Sequence, residues 1–355
     1  MKEPTYIAFE PKSVYLETVN VGGLYPYPFE LGFTICSVAN QQHKWELVVM
    51  MCEMRFLLIV LVCMVCSLWV TESTAQELTP RLFWPAPKGT RVLVSGYSYS
   101  TGDVFLDLSI PVEDAESRIN TGILAYAQTL DLWGRTSNLL VNLPYAWGNA
   151  KGVFLGNPVK RDFSAFGDLS VTLNVNLRGA PTMTVEDFLA YRANPRPIIG
   201  ASLKVVMPTG QYNSDRVVNV GANRWATKLK LGTVIILKPK WVMELSASTW
   251  LFGDDDDFLM GKKEQDPVFA LETNLIKRIR PGLWASLDVT YYRGGRQTIG
   301  GDPLNDELRN LKLGGTLVVP FHRRHAIKIG YSNGVVTKFG NDFEQFLVSY
   351  QVVLK

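Results

Sequence analysis

The sequence predicts an all-β chain: an antiparallel transmembrane β-barrel of about 12 strands with short periplasmic turns and long outer loops. Three observations predict it. Polar and apolar residues alternate in segment after segment of about 10 residues, the length a tilted strand needs to cross a bilayer. The connections between those segments are alternately long and short, as in outer-membrane barrels. An export signal precedes them all.

The signal is the run Phe56–Val70, fifteen residues without a charge, led by Met54-Arg55 and followed by Thr71-Glu72-Ser73-Thr74-Ala75. Small residues at Ser73 and Ala75 occupy the positions three and one before a signal-peptidase cut, which places cleavage after Ala75. The run is short for a spanning helix, which wants about 20 apolar residues. Neither Cys63 nor Cys66 follows a small residue, so no lipid-attachment site is formed. The expected organisation is a leader at 1–53, a cleaved signal at 54–75 and the barrel at 76–355. The leader is read as a start codon placed too early, with Met50, Met51 or Met54 as the true start; the alternative is a disordered cytoplasmic extension, which would make export by a cleaved signal harder.

Composition narrows the function classes. All four cysteines lie before Thr71, so the body carries no thiol nucleophile, cysteine zinc site or disulfide framework. Residues 1–75 hold 4 Lys/Arg and 7 Asp/Glu, which leaves 32 basic and 26 acidic residues beyond them, a net charge of +6. That charge is dispersed rather than patched, so nucleic acid is not an expected partner.

The strand-like segments centre on 91–101, 118–129, 136–147, 167–177, 198–207, 223–237, 241–251, 268–278, 283–293, 308–319, 325–333 and 343–354. In Leu169–Leu177, Leu169, Val171, Leu173, Val175 and Leu177 alternate with Ser170, Thr172, Asn174 and Asn176. Long gaps are expected at 102–117, 148–166, 208–222, 252–267, 294–307 and 334–342, and short ones at 130–135, 238–240, 279–282 and 320–324. The gap 178–197 is longer, and Val185–Tyr191 has room for a helical turn. An even strand number leaves both chain ends on the periplasmic side.

By the same alternation Lys204, Lys228, Lys230, Glu244, Glu272, Asp288, Lys312 and Lys328 fall on the polar face of their strands and are the candidate lumen-lining residues. In a two-sheet soluble sandwich these side chains would face solvent instead; strand length, loop asymmetry and the signal together favour the barrel. Trp133, Trp225, Trp241, Trp250, Trp284, Tyr291 and Tyr331 are expected in the aromatic girdles at the two membrane interfaces.

Short motifs follow one another in a recognisable order: Ile123-Leu124-Ala125-Tyr126, Asn142-Leu143-Pro144-Tyr145, Gly167-Asp168-Leu169, Val205 through Tyr212, and Val220 through Trp225. On these residues the chain resembles the meta-pathway of phenol degradation outer-membrane family, often labelled as transporters, over about residues 80–355. The resemblance implies a monomer-sized barrel that passes hydrophobic or aromatic compounds, and it supplies no catalytic residues. Pro208-Thr209-Gly210 also reads as a strand end, since Pro cannot donate to a ladder and Gly admits the turn.

Other chemistry finds little support. His322 and His325 lie in a basic turn without a carboxylate or thiol to complete a metal site, and neither is placed to serve a serine nucleophile at the outer rim. Asp254 through Asp257 match no calcium-loop motif and read as a solvated outer loop. The paired glycines lack the strand–GxGxxG–helix setting of a nucleotide site. The expectation is a non-enzymatic channel of the Gram-negative outer membrane without metal or cofactor, in contact with outer-membrane lipid and lipopolysaccharide and passing small solutes by diffusion. The alternatives are a structural or adhesive barrel without transport, and a soluble periplasmic β-sandwich.

Overall fold

A computed structural model describes residues 79–102, 113–154, 156–259, 261–337 and 343–354. The leader and the signal segment lie outside the described residues. The strands are β1 (Arg91–Gly102), β2 (Glu113–Leu132), β3 (Arg135–Phe154), β4 (Asn157–Phe166), β5 (Ser170–Arg178), β6 (Ile198–Val206), β7 (Ala226–Lys238), β8 (Trp241–Phe252), β9 (Asp255–Phe258), β10 (Gly261–Gln265), β11 (Val268–Arg280), β12 (Leu283–Gly294), β13 (Gln297–Ile299), β14 (Asp302–Pro303), β15 (Leu308–His322), β16 (His325–Thr337) and β17 (Phe343–Leu354). One helix, α1 (Val185–Ala193), joins them among the described residues.

The main sheet closes on itself. Strand β1 pairs antiparallel with both β2 and β17, and β2 also pairs with β3, so the ring has no first or last strand. Strand β3 pairs with β4 through 145–154 and with β5 through 137–142, so β4 and β5 together form one barrel strand broken at Gly167–Leu169. The barrel therefore has twelve staves. Closure leaves no row of unpaired backbone groups, the condition a sheet must meet inside hydrocarbon.

Side-chain polarity is reversed relative to a soluble sandwich, which settles what the alternation alone left open. Along β7, Leu231 is 57% exposed while its neighbour Lys230 is 7% exposed. The same order holds for Leu229 against Lys228, Leu271 against Glu272, and Leu287 and Val289 against Asp288. Outward-facing leucines, valines and tyrosines are stable only against lipid; inward polar groups need the interior.

The short turns follow from local chemistry. Trp133-Gly134 joins β2 to β3 with φ of 54° and 74°, the left-handed pair that matches hairpin twist. Residues 239–240, 281–282 and 323–324 make the other tight turns at this end. Between β5 and β6 the chain has room for more than the single helical turn expected: Thr184 and Asp187 form a reciprocal capping box that starts the nine-residue α1.

Several sequence expectations need correction. The gap expected at 148–166 is a hairpin: β3 runs on to Phe154 and returns as β4. The reading failed there because the inward parity changes. Phe163 and Ala165 are buried on β4, whereas Ser170, Thr172 and Asn174 are buried on β5. The gaps at 252–267 and 294–307 are partly ordered as a separate four-stranded sheet, β14-β13-β10-β9. Two of the expected girdle aromatics are internal: Trp284 shares the inward parity of Ser286 and Asp288 and is buried, and Trp250 packs against buried Val268, Ala270, Tyr292 and Leu308. An outward aromatic cluster does exist, formed by Tyr97, Trp147, Tyr145 and Phe166, with Tyr145 and Phe166 edge-to-face at 4.9 Å.

Because Leu231 lies near the middle of an outward face, Leu231→Arg should lower barrel stability in lipid vesicles by about 2–4 kcal/mol, read from urea unfolding. A soluble fold with Leu231 facing water would show almost no change.

Candidate functional site

The barrel interior is divided into three zones by what the strands point inward. The middle zone is charged. Lys230 Nζ sits 2.6 Å and Lys228 Nζ 3.4 Å from the two carboxylate oxygens of Glu272, joining β7 to β11. All three side chains are buried, so removal of the carboxylate would leave two ammonium groups facing each other at a cost of about 3–5 kcal/mol. Asp288 on β12 accepts hydrogen bonds from Ser286 at 3.0 Å and Thr316 at 3.1 Å. Glu244 on β8 is buried nearby, as is Lys312 on β15. Lys204 on β6 and Lys328 on β16 are half-buried. Lys204 and Lys228 reach the face of Trp250, with Nζ 5.9 and 5.4 Å from the ring centroid. The geometry thus joins Lys228, Lys230 and Glu272 in one cluster.

The second zone, at the short-turn end, is filled by the chain's own residues 79–84. This segment enters the barrel before β1 begins. The Thr79 hydroxyl bridges the charged cluster, accepting from Lys230 at 2.9 Å and donating to Glu272 at 3.3 Å. The backbone N–H of Arg81 donates to Glu244 at 2.7 Å, and Arg81 takes φ of 66°, a conformation a bulky residue holds only when its surroundings fix it. Phe83 then lies flat over Gly200 and Gly232, which face each other across β6 and β7. A Cβ at Gly200 would come within 2.2 Å of the Phe83 ring, and one at Gly232 within 2.7 Å. Ala180, Met183, Ile198, Val234, Val242, Ile276, Trp284 and Val318 complete the apolar packing around Phe83.

Sequence reasoning missed this plug. It treated every inward position as polar, yet Val234, Val242, Ile276, Trp284 and Val318 all share the parity of polar neighbours. That local reversal, together with two inward glycines, was the available signal.

The third zone is the long-loop end. Three of the motifs that carried the family resemblance, Gly167-Asp168-Leu169, Val205 through Tyr212 and Val220 through Trp225, meet here. The Asp168 carboxylate accepts from the N–H of Gly210 at 2.7 Å and of Ala222 at 2.8 Å. Leu169 N–H donates to Thr209 Oγ1, and the N–H of Gln211 to the Phe166 carbonyl. Gly210 and Gly221 touch so closely that a Cβ on either would clash with the other's backbone. Pro208-Thr209-Gly210 therefore ends β6 and turns the chain inward. Val217, Val218 and Val220 pack against Ile119, Phe154, Phe163, Phe258 and Ile299, so the upper sheet and the long β2–β3–β4 hairpins share a core.

The aspartate run is not wholly a solvated loop. Asp255 lies on β9, fully buried, accepting from Tyr212 Oη at 2.6 Å and Asn223 Nδ2 at 2.8 Å. Asp254 pairs with Lys262 at 2.6 Å near the surface. In the same layer, burial pushes the Asp306 carboxyl up although it accepts from the Gln297 N–H. His325 Nδ1 lies 2.5 Å from Tyr350 Oη, and its ring is 5.1 Å from that of His322. Among the described residues no group of three or more His, Cys, Asp or Glu is arranged to hold a metal ion.

The family described as "Putative MetA-pathway of phenol degradation" matches residues 95–350. No curated protein gives a significant match. Among solved structures, the chain is similar to the COG4313 outer membrane channel from Pseudomonas putida F1. That likeness has 23% identity and a TM-score of 0.63, and covers 78% of this chain and 100% of the other. At that identity the likeness shows the fold. The β domain of the Bordetella autotransporter BrkA is also similar, with 11% identity, a TM-score of 0.48, and coverage of 75% of this chain and 100% of the other.

Asp168→Ala removes the acceptor of two backbone N–H groups and should destabilise the long-loop end by about 1–3 kcal/mol. The readout is limited proteolysis of intact vesicles: cleavage within 207–225 should speed up while the barrel itself resists.

Proposed function

The chain belongs to the MetA-pathway of phenol degradation family, and from that premise we propose that it is an outer-membrane channel for small hydrophobic or aromatic solutes, which cross by passive diffusion. The observation that carries the reading is the charged, polar middle of the barrel enclosed by an apolar exterior, closed at the short-turn end by a segment threaded through it rather than by the wall itself. A barrel built only to anchor surface loops has no need of buried Lys228, Lys230, Glu244 and Glu272. Twelve strands give a bore between the filled eight-stranded barrels and the open aqueous porins, so a narrow pore whose width is set by inserted residues is the expected form.

In this reading Lys204, Lys228, Lys230, Glu244, Glu272, Asp288, Lys312 and Lys328 form the polar wall along which solute moves. Trp250, Phe252 and Tyr292 offer ring faces beside it. The short-turn end is periplasmic, and lipid and lipopolysaccharide surround the outward faces. Export uses a signal cleaved after Ala75, which leaves Gln76 as the first residue, three before Thr79. Cleavage at that place makes the plug a free chain end, able to thread into a closed ring.

The second reading, a barrel that carries surface loops and passes nothing, draws on one observation: residues 79–84 fill the periplasmic third in the conformation described.

Conductance in planar bilayers separates the two. Wild-type protein should give small discrete steps. Phe83→Ala removes the ring that seats the plug, a loss of about 3–5 kcal/mol of packing, and should raise single-channel conductance several-fold. Silence from both proteins would favour the non-transporting barrel. Intact mass of protein purified from outer membranes should correspond to a chain beginning at Gln76.

A further inference from the structure

Beneath the plug, at the periplasmic face, lies a cavity of about 520 Å³ between α1, the β7–β8 turn and the β11–β12 turn. Its charged lining residues are Arg81, Arg192, Lys240, Arg278 and Arg280, and no aspartate or glutamate lines it. Its ring-bearing walls are Trp84 and Trp284.

Three features give this basic cavity the character of a binding site. The guanidinium groups are held, not loose: Arg81 stacks 4.7 Å from the Trp84 centroid and 5.1 Å from Trp284, and Arg278 stacks 5.0 Å from Trp84. Stacking on a ring face fixes the guanidinium plane and leaves its N–H edge for an in-plane acceptor. Arg278 spends one edge nitrogen, Nη2, on the Arg192 carbonyl at 2.9 Å, and its Nη1 is buried without a hydrogen-bond partner among the described residues. A buried charged donor left unmatched is costly unless something else satisfies it. The volume falls within the range of small-molecule sites.

We propose that this cavity binds an aromatic carboxylate: the carboxylate is taken by the Arg278 and Arg192 guanidinium groups, and the ring lies against the indoles of Trp84 and Trp284. Charge-assisted, two-pronged hydrogen bonding favours Arg and a planar carboxylate over a point anion. The indole walls favour a flat apolar body over an aliphatic one. Neither half alone satisfies the cavity, so phenol lacks the anion and acetate lacks the ring. As a station on the solute's path the site rests on the channel reading; as a binding site it does not. Its walls include Arg81 and Trp84 of the plug itself, so occupancy and plug position are physically connected.

The test is isothermal titration calorimetry of detergent-solubilised full barrel with benzoate at neutral pH. Saturable one-to-one binding is expected, with phenol and acetate each at least tenfold weaker. Arg278→Gln and Arg192→Gln should each weaken benzoate at least tenfold, and Arg278→Lys should not restore it, because an ammonium lacks the fork. Heat-modifiable migration of each variant on a gel verifies that the barrel has formed. Benzoate binding that is absent, or unchanged in both glutamine variants, would overturn the proposal. A conducting barrel that fails to bind benzoate defeats the site alone, while a barrel that binds benzoate but is silent in bilayers defeats the channel alone.

Discussion

The constraint on which everything else depends is backbone satisfaction in hydrocarbon. No water is available there to accept from an N–H or donate to a carbonyl, so a sheet that crosses lipid must have no edge. Here the seam is the pairing of β1 with β17, continuous from Arg91 opposite Leu354 to Gly102 opposite Phe343. Once that seam forms, each strand has a lipid side and an interior side. A one-residue slip would exchange them along the whole strand. The opposed exposure of Leu231 and Lys230 is a direct consequence.

Closure creates a second requirement: the interior must be filled or wetted without leaving charges unmatched. The chain meets it differently along the axis. In the middle, Glu272 lies between Lys228 and Lys230, and Thr79 joins the same network. Toward the short-turn end the wall turns apolar and the chain's own Phe83 occupies the space above Gly200 and Gly232. Toward the long loops, the half-buried Asp168 at the break between β4 and β5 gathers two backbone N–H groups and folds the β6–β7 connection inward. The channel reading follows from this layout, because the closures are inserted segments held by identifiable contacts.

Most of the barrel was legible in the sequence, and the reason is local. Period-two patterning and turn chemistry are short-range properties, so all twelve staves, and the tight turns at Trp133-Gly134 and Pro281-Gly282, could be located from neighbouring residues. What escaped depends on contacts between distant parts of the chain. The β4–β5 parity change hid a hairpin behind Gly167-Asp168-Leu169. Trp284 was assigned to a membrane interface although it shared parity with Asp288. The plug was invisible because Thr79 and Glu272 are 193 residues apart, and no local pattern reports such a contact. Alternation puts the candidate charged residues on the polar face of their strands, but the grouping of Lys228, Lys230 and Glu272 into one cluster was not legible, since it depends on which strands become neighbours.

Amide hydrogen exchange of the protein in lipid vesicles, followed by peptide-resolved mass spectrometry, tests the closed ring most directly. If β1 and β17 meet as described, their amides exchange as slowly as those of β7 and β8, which lie far from the seam. Rapid exchange confined to 91–102 and 343–354 would mean an open sheet with two free edges, and the account of lumen, plug and channel would be wrong.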